Sequence, residues 1–85
     1  MFNKKNKFEV EVYILKSVND FGKASYSDDK DLSRYISESD FLPRIGDIIY
    51  YNKLYYKVDK IVIDYKIKSL NVLLSESKTD FKIKN

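Results

Sequence analysis

The chain has 85 residues, enough for one domain with a single modest core. Sixteen basic and thirteen acidic side chains leave a formal charge of +3. That balance permits an anionic partner but lacks the dense basic patch of a dedicated duplex-DNA binder. Cysteine and histidine are absent, which excludes a disulfide framework, a thiolate zinc site, a thiol nucleophile and the usual general base.

Residues 1 to 7 are polar and basic and read as a frayed, flexible arm. No apolar run follows these lysines, because Glu9 and Glu11 interrupt it. A signal peptide and a membrane helix are therefore not expected, and the cytoplasm is the default compartment. From Phe8 to Leu15 the chain alternates. Phe8, Val10, Val12 and Ile14 fall on one face, and Glu9, Glu11 and Tyr13 on the other. This is the pattern of a half-buried strand.

Ser17 to Asp31 is polar and contains Gly22 and the acidic cluster Asp28, Asp29 and Asp31. It reads as a loop with room for one short strand at Ala24 to Ser27, so residues 17–40 form a long polar loop or insertion. Leu32 to Phe41 supports two readings. Leu32, Tyr35, Ile36 and Ser39 have helical spacing, with Asp29 or Asp31 as N-cap. Arg34 to Glu38 also fits a short strand. A strand followed by one helical turn is preferred.

The centre of the chain is 41–63. Pro43, the only proline, fixes its own φ and biases Leu42 to an extended shape, while Gly46 accepts φ > 0 without steric cost. Together they form a turn that delivers Asp47 into a strand. Ile48 to Tyr51 and Leu54 to Ile63 then flank Asn52-Lys53, a two-residue hairpin signal. With that turn, Tyr51 lies opposite Leu54, Ile49 opposite Tyr56, and Asp47 opposite Val58. Ile49, Tyr51, Leu54, Tyr56 and Val58 make the core face. The opposite face would bury Lys57 and Asp59 at a cost of several kcal/mol unless they were paired. Ile61 and Ile63 resume the alternation one residue out of phase, which predicts a β-bulge at Asp59-Lys60.

Asp64 to Ser69 is a polar turn. Leu70 to Ser75 is a further strand with Leu70, Val72 and Leu74 on one side. Phe81 and Ile83 alternate with Asp80, Lys82 and Lys84, as in a last edge strand or an ordered tail. The sum is a mostly β fold of four to six strands in one domain. It predicts a small antiparallel SH3-like barrel or rolled sheet, with one short helix near 29–41 as an option and an OB-like barrel as the alternative.

The segment Leu42-Pro43-Arg44-Ile45-Gly46-Asp47-Ile48-Ile49, with Tyr55-Tyr56-Lys57-Val58 and Asn71-Val72-Leu73-Leu74, resembles small bacterial and phage proteins that carry a Leu-Pro-Arg-x-Gly-Asp turn. The likeness covers about half the chain. It implies a small β-barrel and no particular activity. Gly46-Asp47-Ile48 is also similar to the strand-opening turn of KOW and other SH3-like modules, a pattern of low specificity.

Without a histidine or cysteine partner for its serines, the chain is read as non-catalytic, with no cofactor, no metal and no small-molecule substrate. Asp28, Asp29 and Asp31 lack the order of an EF-hand loop and read as a solvated acidic turn. Tyr50, Tyr55, Lys57, Lys60, Tyr65, Lys66 and Lys68 interleave aromatic rings with positive charge, the chemistry of a surface that stacks single-stranded bases. The same pattern arises from strand propensity and solubility alone. Arg44 is placed to clamp a phosphate or carboxylate, or to hold its own turn through Asp47 or Asp40. Residues 17–47 hold four basic against seven acidic side chains, net −3, and the rest of the chain sums to +6. A two-faced charge distribution of this kind steers a charged partner. The resulting expectation is an interaction module for a protein partner or a second copy of itself. A single-stranded nucleic-acid binder is the alternative, and a structural part of a phage or bacterial assembly a third.

Overall fold

The computed structural model describes residues 8–78. The arm expected at residues 1 to 7 and the strand or tail at Phe81 and Ile83 lie outside the described residues. In chain order come β1 (Glu9–Val18), β2 (Ala24–Asp28), α1 (Lys30–Ser37), β3 (Ile48–Tyr51), β4 (Leu54–Asp64) and β5 (Ser69–Glu76). The strands form one sheet in the order β2-β1-β5-β4-β3. The fold is mostly β with one short helix, as the alternation predicts. It takes the rolled-sheet form: β2 and β3 are both edges, so the sheet stays open. One feature of the expected topology is corrected. β1 and β5 run parallel, while every other neighbouring pair is antiparallel.

The central hairpin forms as its sequence dictates. Asn52 and Lys53 both adopt positive φ, 51° and 67°, the requirement of a type I′ turn whose twist matches the strands. Tyr51 pairs with Leu54, Tyr50 with Tyr55, Ile49 with Tyr56 and Ile48 with Lys57. Between Val58 and Lys60 the register with β5 shifts by one residue, which leaves Asp59 as the bulge. That shift returns Ile61 to the face of Val58.

The preceding turn is closed twice. The Asp47 amide donates to the Arg44 carbonyl at 2.9 Å, and the Arg44 amide donates to the Asp47 carboxylate at 2.8 Å. Gly46 sits at φ +95°, where a side chain would strain the backbone.

Residues 17–40 are not a long loop. Asn19 caps a tight connection, its side-chain oxygen accepting from the amides of Phe21 and Lys23, and β2 returns antiparallel to β1. The expected short strand therefore exists and runs to Asp28. The preference for a strand at Arg34 to Glu38 is overturned by α1. Asp29 is the N-cap and accepts from the Leu32 amide at 2.9 Å. Leu32 and Ile36, one helical turn apart, are the buried pair. A strand here would have put Tyr35 and Ile36 on opposite faces. The helix wins because its cap and its apolar stripe are satisfied together.

Helix and sheet are joined at Val12. The Asp29 amide donates to the Val12 carbonyl at 2.9 Å. The Val12 amide donates to Ser33 Oγ at 2.8 Å, and that hydroxyl donates to the Asp29 carbonyl at 2.8 Å. The start of α1 thus occupies the strand-edge position that β2 leaves open beyond Asp28. Leu32 and Ile36 are set against Val12, Ile14, Tyr56, Val58, Val72 and Leu74, with Val10, Ile49, Tyr51 and Ile61 at the margin.

Leu74→Ala, at a fully buried position, is expected to cost about 2–5 kcal/mol in urea unfolding. Val62→Ala, on the uncovered face and 47% exposed, should stay within about 0.5 kcal/mol. Similar costs would contradict a one-sided core. Ser33→Ala strips the Val12 amide of its acceptor and should destabilise by about 1–3 kcal/mol. Ser37→Ala, on the exposed last turn, serves as the neutral comparison.

Candidate interaction surface

Two surfaces follow from this architecture. The first is the sheet face opposite α1. Side chains directly across a ladder share a face, so Tyr50 and Tyr55 lie together there with Ile48, Lys57, Lys60 and Leu73. The rings of Tyr50 and Tyr55 are 4.9 Å apart at 45°. Glu9, Glu11 and Tyr13 extend the same face across β1, and Tyr13 donates to Glu11 at 2.7 Å. One half of the face is aromatic and basic, the other acidic.

The sequence grouped seven aromatic and basic residues, and the structure divides them. Tyr50, Tyr55, Lys57 and Lys60 share the open face. Tyr65, Lys66 and Lys68 sit in the β4–β5 turn. Ten residues of strand separate Tyr55 from Tyr65, about 30 Å at strand rise. There the Tyr65 ring meets Phe8 edge-on at 5.7 Å, and the Lys68 ammonium lies 5.8 Å from the same Phe8 ring. Asp64 caps the turn through the amides of Lys66 and Ile67. Arg44 stands apart from both groups. Its backbone, not its guanidinium, holds the Pro43–Asp47 turn, and among the described residues the guanidinium forms no ion pair.

The acidic cluster is accounted for locally. Asp29 caps α1, Asp28 lies 3.6 Å from Lys30, and Asp31 lies 3.7 Å from Arg34. Among the described residues, no three side chains of metal-ligating type are grouped to hold an ion, and no helix is long and apolar enough to cross a membrane.

The second surface is one the sequence reading missed. The end of α1, the 38–47 connection and the start of β3 enclose a groove of about 350 Å³, lined by Tyr35, Ile36, Ser39, Phe41, Pro43, Asp47, Ile48 and Ile49. It is bounded by both Ile48 and Ile49, which point to opposite faces, so it runs along the outer edge of β3. Phe41 is 80% exposed and Ile48 is 44% exposed. Tyr35 is held edge-on to Tyr51 at 6.3 Å, with the Arg34 guanidinium 5.3 Å from its ring centre. The available signal was Phe41-Leu42, an apolar pair in a polar stretch with no periodic neighbours to bury it.

Among the described residues, β3 is paired on one side only. In an antiparallel ladder, alternate residues direct both backbone groups outward. Tyr51 and Ile49 face β4 in this hairpin, and Val58 donates to the Asp47 carbonyl at 3.0 Å. Tyr55, opposite Tyr50, gives its carbonyl to Ser77 on the far side at 2.8 Å. Ile48 and Tyr50 therefore turn their amides and carbonyls away from β4, and among the described residues no partner meets them.

Comparison with protein-family models, with curated proteins and with solved structures returned no match.

The Tyr51 hydroxyl, whose ring packs on Tyr35 of the groove, donates to the helix-cap residue Asp29 at 3.3 Å. Its pKa is raised above 10.0, first by burial and then by the Asp29 charge. Tyr56 is raised by burial and by Glu76. A phenol raised in the folded state contributes fully below pH 10.0, where both states keep the proton. Above that the unfolded chain ionises first, and the contribution is lost as pH passes the folded value. Thermal unfolding between about pH 9 and 11 should therefore show a falling midpoint, with a shallower fall in Tyr51→Phe. Equal slopes would remove Tyr51 as a contributor.

Proposed function

We propose that the protein is a non-catalytic interaction module whose β3 edge and adjoining groove receive a segment of another polypeptide in extended form. The observation that carries this reading is the coincidence of outward backbone groups at Ile48 and Tyr50 with an apolar groove alongside them. In β-strand addition, main-chain hydrogen bonds supply affinity and side-chain pockets supply specificity. Phe41 and Tyr35 are the anchors, since exposed aromatic rings at a groove carry a disproportionate share of binding energy. The lack of histidine and cysteine supports the non-catalytic reading. Action in the cytoplasm, and a phage or mobile-element origin suggested by the Leu42–Asp47 turn, belong to the same proposal, as does a role as a structural part of a larger assembly.

A second reading rests on the Tyr50–Tyr55 pair beside Lys57 and Lys60. An open sheet face with two rings and two ammonium groups suits single-stranded nucleic acid. It is the weaker reading, because Glu9 and Glu11 share that face and Tyr65, Lys66 and Lys68 lie at its far end.

The tagged chain is expected to retain a protein from host extract after nuclease treatment. Phe41→Asp should weaken that capture about 30-fold, the effect of removing an aromatic anchor worth about 2 kcal/mol, with the circular dichroism spectrum unchanged. Capture abolished by nuclease, with oligonucleotide binding that strengthens at low salt, would replace the first reading with the second.

A further inference from the structure

Resting on the reading of β3 as a strand acceptor, we infer that the strand it accepts is β3 of a second copy of this chain, related by a two-fold axis at Ile49. The register argues for this occupant. Outward backbone groups occur at Ile48 and Tyr50 and must meet outward groups on the incoming strand. When two β3 strands run antiparallel, one alignment matches them all: Ile48 opposes Tyr50 of the second copy, Tyr50 opposes its Ile48, and Ile49 opposes Ile49. Four hydrogen bonds form and none of these groups is left over. A one-residue slip sets every outward group against an inward-facing residue and breaks all four, and a two-residue slip keeps only half.

Side chains agree with this alignment. The two-fold keeps both open faces on the same side, so each exposed Ile48 meets a Tyr50, a β-branched and aromatic cross-strand pair. No like charges oppose each other. Asp47, just before the strand, faces Tyr51 of the second copy. The two edges of the sheet also differ. β2 carries Ser25, Ser27 and Asp28, and its ladder with β1 contains a register shift. Polar side chains and irregular pairing protect an edge from strand addition. β3 reads Ile-Ile-Tyr-Tyr, without charge, proline or bulge. The result is a continuous ten-stranded sheet with a two-fold axis perpendicular to it, an isologous contact that closes on itself.

The contact is short, four residues from each chain, and belongs to the small interface class. Sedimentation velocity of the full chain from about 10 μM to about 1 mM should show the mass rise from 10.1 kDa toward twice that value. Ile48→Lys, at an exposed position, should hold it at 10.1 kDa with an unchanged circular dichroism spectrum. Because the chain has no cysteine, disulfide trapping reports the register directly. Ile49→Cys should cross-link to itself. Ile48→Cys and Tyr50→Cys should cross-link when mixed and not alone. A monomer throughout the concentration range overturns the inference, as does a dimer untouched by Ile48→Lys or one that traps Ile48→Cys with itself. A monomer that still captures a different protein through Phe41 overturns the two-fold pairing and leaves the broader reading standing. A monomer that captures nothing overturns both.

Discussion

The backbone exchange at Val12 fixes the rest of the structure. One strand residue gives its carbonyl to the Asp29 amide and its amide to the Ser33 hydroxyl. These bonds settle two obligations at once. They satisfy a strand edge that β2 does not reach, and they anchor the first turn of a helix, whose amides have no intrahelical partners. Buried backbone groups are costly to leave unmade, so the helix has little freedom to start elsewhere. Once it starts there, Leu32 and Ile36 must fall on the β1 and β5 valines and leucines.

A helix of eight residues covers only part of a five-stranded sheet. That shortfall shapes the whole surface. The face away from α1 keeps Tyr50, Val62 and Ile48 in water, and the connection out of the helix is held at its start by Ser39 and at its end by the Arg44–Asp47 turn and the Gly46 amide. Phe41 is stranded in that connection. The groove beside β3 is thus a consequence of the helix ending too early to shield the sheet edge. The functional proposals and the core packing have a common origin in the placement of α1.

The alternation 48–63 was legible because its constraints are local. A two-residue turn sets the register of its own hairpin, and a single out-of-phase isoleucine reports a bulge, so the alternation alone places it at Asp59-Lys60. β5 was legible for the same reason. The helix at Lys30–Ser37 was half legible. Asp29 as cap and Leu32/Ile36 as stripe were visible, but a short strand had comparable local support, and the tie is broken by Val12, eighteen or more residues away in sequence. The candidate site was the least legible part. Tyr65, Lys66 and Lys68 are near Lys60 along the chain and far from Tyr55 in space, because an extended strand carries them to the other end of the sheet.

By itself, then, the sequence determined the strand faces, the type I′ hairpin with its bulge, the Pro43–Asp47 turn and the absence of thiol and imidazole chemistry. All of these depend on side-chain period and on turn residues within a few positions of one another. Only the tertiary structure decided that β5 enters between β1 and β4 and runs parallel to β1, that the sheet stays open, and that β3 is its last strand, beside Phe41. The free energy of those choices comes from burying Val12, Val58, Val72 and Leu74 against one another across dozens of residues, and such long-range burial leaves no periodic mark in the chain.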